Sequence, residues 1–379
     1  MGTWLAFALT LMNMISNRGS RVLITLYALK LGAEPLTVGL LAATYAIFPV
    51  MFSWHSGRMS DRYGPRAPMT LAAVAGALSL SLPYFVPTLG ILFVASFLHG
   101  TSSTYYNVST QNLIGMLSDA RNRGRNFGNY SMVVSVGNAI GPVFAGFSID
   151  YFGYQATFLY MAAVLFVPVI LLMVWGDALP GKVTDAAPAH SVGHMLRNPL
   201  LWPVLLASAI AQAGLELFQV YMPVYGNQHG MSASAIGVVL SMLAVGAVAG
   251  RALVTQWVAR SSEEKVLAYA QFVASLCFAI VPFFQGITAL SIIALVFGFG
   301  LNCSQPVSLT LIYSRSPEGR AGEAWGLRFT MDSVARLLGP AAFGMIASVL
   351  GVGAVFWLSA LMMGAGGANS HRDATKVGK

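Results

Sequence analysis

The chain is poor in charged residues and almost free of cysteine. Only 9 % of its 379 residues are Asp, Glu, Lys or Arg, while 56 % are hydrophobic and the mean hydropathy is +0.69. Because a soluble globular domain carries about 25 % charged residues, this composition excludes one. The two cysteines, Cys277 and Cys303, are too few for a disulfide framework and are expected to be small core residues.

Motifs for catalysis by metals or nucleotides are also missing from the sequence. There is no cluster of residues at metal-ligand spacing and no phosphate-cradling loop of the P-loop type. His99 has no Ser or Asp beside it in sequence that would suggest a hydrolase. We therefore expect no enzyme activity, no metal and no cofactor.

Long apolar stretches fill most of the chain instead. A helix that crosses a bilayer needs about 20 mainly apolar residues, and lipid offers no partner to open backbone groups. The sequence therefore predicts an all-α integral membrane protein with twelve transmembrane helices. The spans are expected at residues 4–30, 36–57, 67–86, 89–113, 126–149, 155–176, 200–228, 233–257, 264–284, 287–313, 322–348 and 351–366. The last is short and rich in glycine, so its boundary is the weakest of the set.

The two halves of the chain repeat one another. Residues 322–356 match residues 124–158 at a constant shift of 198 positions. The matched pairs are Gly124 with Gly322, Gly128 with Gly326, Gly141 with Gly339, Pro142 with Pro340, Gly146 with Gly344, Gly153 with Gly351 and Phe158 with Phe356. The repeat predicts two pseudo-symmetric bundles of six helices, an architecture in which transporters place their substrate site at the seam.

A polar connection separates the repeats. Residues 177–198 contain Pro, Gly, Asp and Lys without apolar periodicity, which is typical of a loop. We predict an N-terminal bundle over 1–176, a cytoplasmic linker over 177–198, and a C-terminal bundle with a short cytoplasmic tail over 199–379.

The basic residues predict the orientation in the membrane. With both termini in the cytoplasm, the external loops hold only Lys30, which satisfies the positive-inside rule. The inner loops and tail then collect Arg58, Arg62, Arg66, Arg121, Arg123, Arg125, Lys182, Arg197, Arg260, Lys265, Arg315, Arg320, Arg372, Lys376 and Lys379. The net charge of +8 is thus explained by a bilayer partner, without nucleic acid. We expect a monomer in the bacterial inner membrane.

The loop between the second and third spans carries a recognisable motif. Residues 57–66 read GRMSDRYGPR, which resembles the signature loop of the major facilitator superfamily. The resemblance implies two rocking bundles and a gating role for Gly57, Asp61, Arg62, Gly64 and Arg66. In the second half, Thr255 and Ala259 stand at the positions equivalent to Gly57 and Asp61, and Arg260 is kept. The gating contact is therefore expected on one side only.

The fifth span carries a second motif of the superfamily. Gly128, Gly137, Gly141-Pro142 and Gly146 resemble the antiporter motif of its drug-efflux families, which implies export and a gating role for the last four. Small residues at this spacing let helices approach closely, and proline bends the backbone. Ordinary helix packing is the alternative. The fourth span has Ser96 where these families often carry an arginine linked to proton coupling.

Away from the loops and the ends of the predicted spans, seven charged residues remain: Arg18, Arg21, Glu216, Arg251, Arg328, Asp332 and Arg336. A charge at mid-membrane costs roughly 2.5–3.5 kcal/mol, so such residues face a cavity or a partner. The repeat makes Arg18 equivalent to Glu216, and the resemblance places their helices around a central cavity. Arg251 lies nearer the cytoplasm and is interpreted as structural.

The excess of arginine favours an anionic cargo, because the guanidinium fork matches a carboxylate. We predict substrate contacts from Arg18, Arg21, Arg336, Asn17, Tyr105, Tyr106, Asn107, Asn138, Gln212, Asn302 and Gln305. Glu216 and Asp332 are the candidates for proton coupling. Two alternatives stay open. In one, the amides only join neighbouring helices; in the other, Arg18 with Glu216 and Arg336 with Asp332 form interdomain latches.

These observations predict a secondary active transporter that moves a small anionic or zwitterionic organic solute by alternating access, coupled to protons. Both export and import are open as the direction of transport. The alternative is a drug-efflux proton antiporter of broad specificity. A receptor that transports nothing, or an accessory membrane enzyme, would be the rival from another class.

Overall fold

The computed structural model of the chain describes residues 2–118, 121–176, 179, 201–315 and 321–377. Within these ranges it contains α-helices, one 3-10 turn at Val281–Phe283, and no strand. The helices are α1 Gly2–Lys30, α2 Pro35–Tyr63, α3 Arg66–Phe85, α4 Leu89–Met116, α5 Arg123–Trp175, α6 Trp202–Gln228, α7 Ala233–Arg260, α8 Glu263–Ile280, α9 Ile287–Arg315, α10 Ala321–Leu350 and α11 Val352–Val377. Apart from Leu179, the predicted linker at 177–198 lies outside the described residues.

Helix α5 covers two of the predicted spans. As one straight rod its 53 residues would measure about 80 Å, far more than the ~30 Å of a bilayer core. Gly153 interrupts it with a φ of 80°, and we call residues 123–152 α5a and residues 154–175 α5b. The described residues therefore form an all-α membrane fold with twelve transmembrane helices. The seventh predicted span is α6, and the eleventh is α10.

Not all of these helices are uniformly apolar. In the described part of the chain, seven helical segments are long and apolar enough to cross a membrane by length and composition. Helix α1 is not among them, because Asn13, Asn17, Arg18 and Arg21 interrupt its middle. A transmembrane helix with this composition must turn its polar face away from lipid.

The last helix is longer than the sequence suggests. Helix α11 continues to Val377, whereas the apolar stretch ends at residue 366. Its glycines lie against neighbouring helices: a Cβ at Gly366 would come 3.1 Å from Ile210, and one at Gly367 would come 2.9 Å from the Phe272 ring. The glycines thus serve close packing against α6 and α8 instead of ending the helix.

The repeat in the sequence is also a repeat in the backbone. Gly32 and its partner Gly230 have φ values of 85° and 72°, and Gly153 and its partner Gly351 have φ values of 80° and 82°. Glycine tolerates this left-handed region because it lacks a Cβ. All four glycines form turns on the membrane side opposite to the start of α1, which we call the far side. The side where α1 starts is called the terminal side.

The two bundles of six helices, α1 to α5b and α6 to α11, meet along two repeat-related seams. Helix α2 packs on α10, and α5a packs on α7. A Cβ at Gly39 would overlap the carbonyl oxygen of Pro340, and a Cβ at the equivalent Gly237 would overlap that of Pro142. Because Gly39 and Gly237 lie in the first turns of α2 and α7, both seams are closed near the far side.

The repeat-equivalent glycines Gly141 and Gly339 differ in their surroundings. A Cβ at Gly141 would lie 2.7 Å from the carbonyl oxygen of Ile15, whereas a Cβ at Gly339 meets no atom within 4 Å. We therefore expect overpacking in Gly141→Ala to cost about 1–3 kcal/mol of folding free energy. The melting temperature of the purified protein should fall accordingly. Gly339→Ala is the matched control and should leave it unchanged or slightly raised. Equal effects of the two variants would contradict this packing.

Candidate functional site

A cavity of about 100 Å³ lies between the two bundles, on the terminal side of the closed seams. Residues from α1, α2, α4, α5a, α6, α7 and α9 line it, so both bundles contribute. Its polar wall includes Arg18, Arg21, Asn138, Gln219, Arg251 and Asn302. The space holds several water molecules or a small organic molecule. The cavity thus lies where the repeat architecture places a substrate site.

Arg18 of α1 reaches across the cavity to both bundles. Its Nε donates to Oδ1 of Asn138 on α5a at 2.9 Å, and its Nη1 donates to Oε1 of Gln219 on α6 at 2.6 Å. Both acceptors are neutral amides. Within the described residues, Arg18 therefore forms no ion pair at 4 Å or less, and its charge stays unbalanced by direct contact.

Arg21 lies three residues further along α1 and forms an ion pair that joins the bundles. Its Nη1 is 2.9 Å from Oε2 of Glu216 on α6. Its guanidinium also stands over the ring of Tyr45 on α2, 4.5 Å from the ring centre. A cation over an aromatic face is favourable, and the contact fixes the side chain. Arg21 is thus held between a carboxylate and an aromatic ring.

Glu216 collects polar groups from three helices. Besides Arg21, its Oε1 lies 3.7 Å from Nε of Arg336 on α10 and accepts from Nε2 of Gln212 at 3.5 Å. Only 6 % of Glu216 is exposed. A buried carboxylate between two arginines from different bundles can sense their separation, because losing a partner leaves a buried charge uncompensated.

The latch alternative pairs Arg18 with Glu216, but the structure gives Glu216 other partners. Glu216 pairs with Arg21 and Arg336, and Arg18 pairs with amides. The repeat matches Arg18 and Glu216 in depth, but α1 presents Arg21 to α6 at this point, almost one turn closer to the far side. The predicted pair of Asp332 with Arg336 does not form among the described residues.

Asp332 belongs to a separate cluster within the second bundle. Its Oδ2 lies 3.7 Å from Nε of Arg328, and its Oδ1 accepts from the hydroxyl of Ser208 at 3.1 Å. Nε of Arg328 also donates to Ser208 at 2.7 Å. Asp332 is not part of the cavity wall. Its contacts connect α10 to α6, so a static bundle contact accounts for it.

Several predicted substrate contacts instead hold α1 to α4. Nδ2 of Asn13 donates to Oδ1 of Asn107 at 3.1 Å, and Asn17 donates to the hydroxyl of Ser103. Nδ2 of Asn107 donates to Ser103 at 3.3 Å. Asn17 and Asn107 do not line the cavity, and the alternative of helix packing describes them better.

The two predicted tyrosines also lie away from the cavity. Tyr106 is fully buried among the apolar residues of the first bundle, and its hydroxyl donates to the carbonyl oxygen of Leu9 at 3.2 Å. The ring of Tyr105 meets that of His55 edge to face at 6.3 Å. Neither lines the cavity, and Tyr45 of α2 contributes an aromatic ring to its wall.

Of the remaining predicted contacts, Asn138 and Asn302 do line the cavity. Nδ2 of Asn302 donates within α9, to the carbonyl oxygen of Gly298 at 3.0 Å. Gln212 contacts Glu216 as described. The side chain of Gln305 lies outside the described residues.

The antiporter-like motif of α5a serves two different contacts. Gly137 and Gly141 face α1, where a Cβ at Gly137 would come 2.5 Å from the Cβ of Met14. Pro142 and Gly146 face α7 of the other bundle, because a Cβ at Gly146 would overlap the carbonyl oxygen of Ala233. The motif therefore combines packing inside one bundle with close approach between bundles.

The signature loop lies where predicted, at the terminal-side end of α2. Gly64 ends this helix with a φ of 75°, and the gating role of the loop stays a prediction. Gly57 lies inside α2, with only a loose contact to Val108. Arg66 starts α3 and lies against Gly176, while Arg62 stands over the ring of Tyr63. The side chain of Asp61 lies outside the described residues.

Sequence reasoning missed some residues of the cavity wall. Tyr45 gave no signal because a tyrosine in an apolar span is common, and Ser135 is one of many small residues in α5a. Arg251 was interpreted as structural from its depth alone. It lines the cavity and donates from Nη1 to the hydroxyls of Ser131 at 2.9 Å and Ser135 at 2.8 Å.

Residues 6–340 match the family profile of the Major Facilitator Superfamily. The chain belongs to this superfamily. As a member, it is a membrane transporter for a small molecule and not an enzyme.

Curated relatives in the superfamily include bacterial resistance proteins. The multi-drug resistance efflux pump PmrA of Streptococcus pneumoniae is 22 % identical over 329 residues, covering 85 % of this chain and 82 % of that protein. The class B tetracycline resistance protein of Escherichia coli is 25 % identical over 323 residues, covering 81 % of this chain and 78 % of that protein. These identities place the chain far from any one of them.

Solved structures show the same major facilitator fold. A POT family transporter in complex with 5-aminolevulinic acid superposes with a TM-score of 0.85 at 13 % identity, covering 100 % of this chain and 97 % of that one. A point mutant of the nucleoside transporter NupG gives 0.82 at 13 % identity, covering 98 % of this chain and 100 % of that one. At such low identity the likeness describes the fold alone.

Proposed function

We propose that this transporter moves a small anionic or zwitterionic organic solute by alternating access, in exchange or symport with protons. The observation that carries the proposal is Arg18, a cavity-lining cation whose hydrogen bonds in the described structure end on the neutral amides of Asn138 and Gln219. A carboxylate can replace those amides with a bidentate, charge-assisted contact, which is about twice as strong as a neutral hydrogen bond.

The charges around the cavity support the same cargo. Arg18, Arg21 and Arg251 line it, and Arg336 lies beside Glu216, the one carboxylate among these groups. A low-dielectric wall concentrates the field of such groups. An excess of cations attracts an anion and repels a lipophilic cation.

For orientation, we propose that the terminal side faces the cytoplasm of a bacterium and that the protein lies in its inner membrane. The excess of arginine and lysine in the loops of that side supports this orientation. The seams between the bundles are closed near the far side, so the described conformation would be inward-facing. Closure of the terminal side and opening of the far side would complete the cycle.

A ligand screen on the purified protein tests the cargo class. Organic acids, amino acids and lipophilic cations are added separately, and the melting temperature is measured. A ligand at 100 times its Kd stabilises the protein by about 2.7 kcal/mol, which shifts the melting temperature measurably. We expect carboxylates to stabilise the protein and to be taken up by proteoliposomes. Stabilisation by lipophilic cations alone would contradict the proposal.

The second candidate function is drug efflux of broad specificity. The resistance proteins among its relatives favour it, as does the close approach of Pro142 and Gly146 to α7, the contact attributed to export motifs. It predicts resistance to several unrelated drugs in cells that overproduce the protein. A carrier for one anion would give no such resistance.

Asp150 of α5a provides a test of the alternating-access cycle. Its carboxylate accepts from the backbone N–H groups of Ala233 at 3.2 Å and Ser234 at 2.8 Å, at the start of α7 in the other bundle. Such a contact at a helix N-terminus stabilises by about 0.5–2 kcal/mol. We expect Asp150→Ala to shift the population toward a far-side-open conformation.

Spin labels at the exposed, repeat-related positions 30 and 228, in a cysteine-free background, would report this shift as a longer distance. The matched control is Ser348→Ala at the position equivalent to Asp150. The Ser348 hydroxyl donates inside its own helix, to Met345 at 2.9 Å, so this variant should leave the distance unchanged. An unaltered distance in Asp150→Ala would show that the contact does not hold the far side closed.

A further inference from the structure

Besides Arg18 and Arg21, the cavity wall contains the cation of Arg251 on α7, in the bundle opposite to Arg18. A guanidinium inside a membrane span is costly unless it is paired or used. In the described structure its hydrogen bonds all leave from Nη1 and end on Ser131 or Ser135. These partners are neutral, so Arg251 keeps its full charge, and the other edge of its fork is available to a ligand.

Arg18 and Arg251 are anchored on the same helix at different depths. Arg18 binds Asn138 of α5a, while Arg251 binds Ser131 and Ser135 of the same helix. Ser135 and Asn138 both belong to the cavity wall. At 1.5 Å per residue, these anchors are separated by about 4.5–10 Å along the membrane normal. The cavity thus has two cationic ends, with Arg18 nearer the far side.

The two ends are not equivalent to a single strong anion site. Two arginines around one carboxylate would converge on one point, as Arg21 and Arg336 do on Glu216. Arg18 and Arg251 instead contact different turns of α5a, because Arg18 binds Asn138 and Arg251 binds Ser131 and Ser135. A ligand that satisfies both must itself be extended and carry an acidic group near each end.

We propose that the cargo is a dianionic organic acid, with one acidic group on Arg18 and the other on Arg251. Arg251 then determines specificity by favouring dianions over monoanions. This inference rests on the proposed anion transport and adds a second site to it. Binding to both bundles at once also gives such a solute a differential affinity for the closed cavity, which is what drives a conformational shift.

The rival explanation is that Arg251 only ties α7 to α5a through the two serines. The double variant Ser131→Ala/Ser135→Ala tests this explanation, because it removes both hydroxyl acceptors of Arg251, leaves the longer contact of 3.5 Å to the Ser131 carbonyl oxygen, and keeps the cation. Arg251→Ala removes both the hydrogen bonds to α5a and the cation. Arg251→Lys keeps a positive charge without the planar fork. Each variant is compared with the wild type as the purified full-length chain.

The experiment measures Kd for a series of dicarboxylates from succinate to suberate and for the monomethyl ester of each. The ester has the same length and one charge less. We expect the wild type to bind one chain length at least 10-fold more tightly than its ester. Arg251→Ala should abolish that preference, because it should weaken binding of the diacid at least 10-fold more than binding of the ester. The double serine variant should keep the preference.

Other results would overturn the inference in distinguishable ways. Equal affinity for diacid and ester in the wild type, at every length, would show a single anionic contact, and the proposed anion transport would stand. A double serine variant that behaves like Arg251→Ala would assign Arg251 to the helix tie. If neither diacids nor esters bind the wild type, the proposed function itself fails, and this inference fails with it.

Discussion

Glu216→Gln is expected to abolish concentrative transport driven by a pH gradient while leaving exchange of substrate across the membrane. In the described conformation the carboxylate is held by Arg21 at 2.9 Å and by Arg336 at 3.7 Å, on helices of both bundles. When the bundles rock, at least one of these contacts lengthens, and a buried carboxylate without a cation takes up a proton in preference to staying charged. Glutamine keeps the shape and a hydrogen bond but cannot carry the proton.

The measurement uses proteoliposomes loaded with substrate, with and without an imposed pH gradient. Gradient-driven accumulation should fall to the level of the protein-free control, and counterflow of labelled substrate should persist. Asp332→Asn is the matched carboxylate control, because Asp332 pairs with Arg328 inside one bundle and lies outside the cavity wall. It should keep coupling if it folds.

Accumulation that persists in Glu216→Gln would move the coupling role to Asp332. Persistence in the double variant would exclude proton coupling through either carboxylate. Loss of counterflow as well would mean that Glu216 is needed for binding or closure and not only for coupling.

The architecture could be predicted from sequence because it depends on periodic and repeated features. Apolar length locates helices in lipid, where no other backbone arrangement satisfies its hydrogen bonds. Gly32 and its equivalent Gly230 share a positive φ that favours glycine. Gly39 and its equivalent Gly237 share a close approach to a backbone carbonyl that leaves no room for a Cβ. The repeat in the sequence therefore records a repeat in the helix contacts.

The side-chain partners could not be predicted, because depth along a helix does not determine direction around it. Arg18 and Arg21 are less than one turn apart, yet one contacts amides and the other a carboxylate. Asn17 and Asn107 are residue types common in binding sites, but Asn17 donates across to Ser103 of α4, and Asn107 donates to the same hydroxyl within α4. Residue type identified the polar faces, and only the packing of both bundles assigns each group to the cavity or to a helix contact.

The repeat gave wrong predictions for the charged residues of the cavity, where the two halves of the chain differ. It suggested that equivalent positions face one another, as in a pair of Arg18 with Glu216. It also gave no weight to Arg251, whose equivalent is Ser53. None of the charged residues of the cavity has a residue of the same charge at its equivalent position, so the two bundles contribute different chemistry to one site. The repeat therefore predicts the arrangement of helices around this site better than the side chains that line it.

Arg18→Ala is expected to weaken binding of an anionic substrate by roughly 100-fold, or about 2.7 kcal/mol, while the protein stays folded. The loss follows because a bidentate contact between the fork and a carboxylate has no substitute among the amides left behind. Arg18→Lys should recover little of it, since an ammonium cannot offer two parallel donors. Affinity is measured by ligand-dependent shifts in melting temperature and by inhibition of uptake.

Two controls separate this role from that of an interdomain latch. Gln219→Ala removes the hydrogen bond by which Arg18 joins α6, at 2.6 Å, but leaves the cation in the cavity, so substrate affinity should change little. Lys30→Ala removes one positive charge at the far-side end of α1, beside the Tyr154 ring and away from the cavity wall, and tests the general effect of net charge. If Gln219→Ala weakens binding as much as Arg18→Ala does, Arg18 is a latch and the anion site lies elsewhere. The same conclusion follows if Arg18→Ala and Arg18→Lys both bind the anion with unchanged affinity.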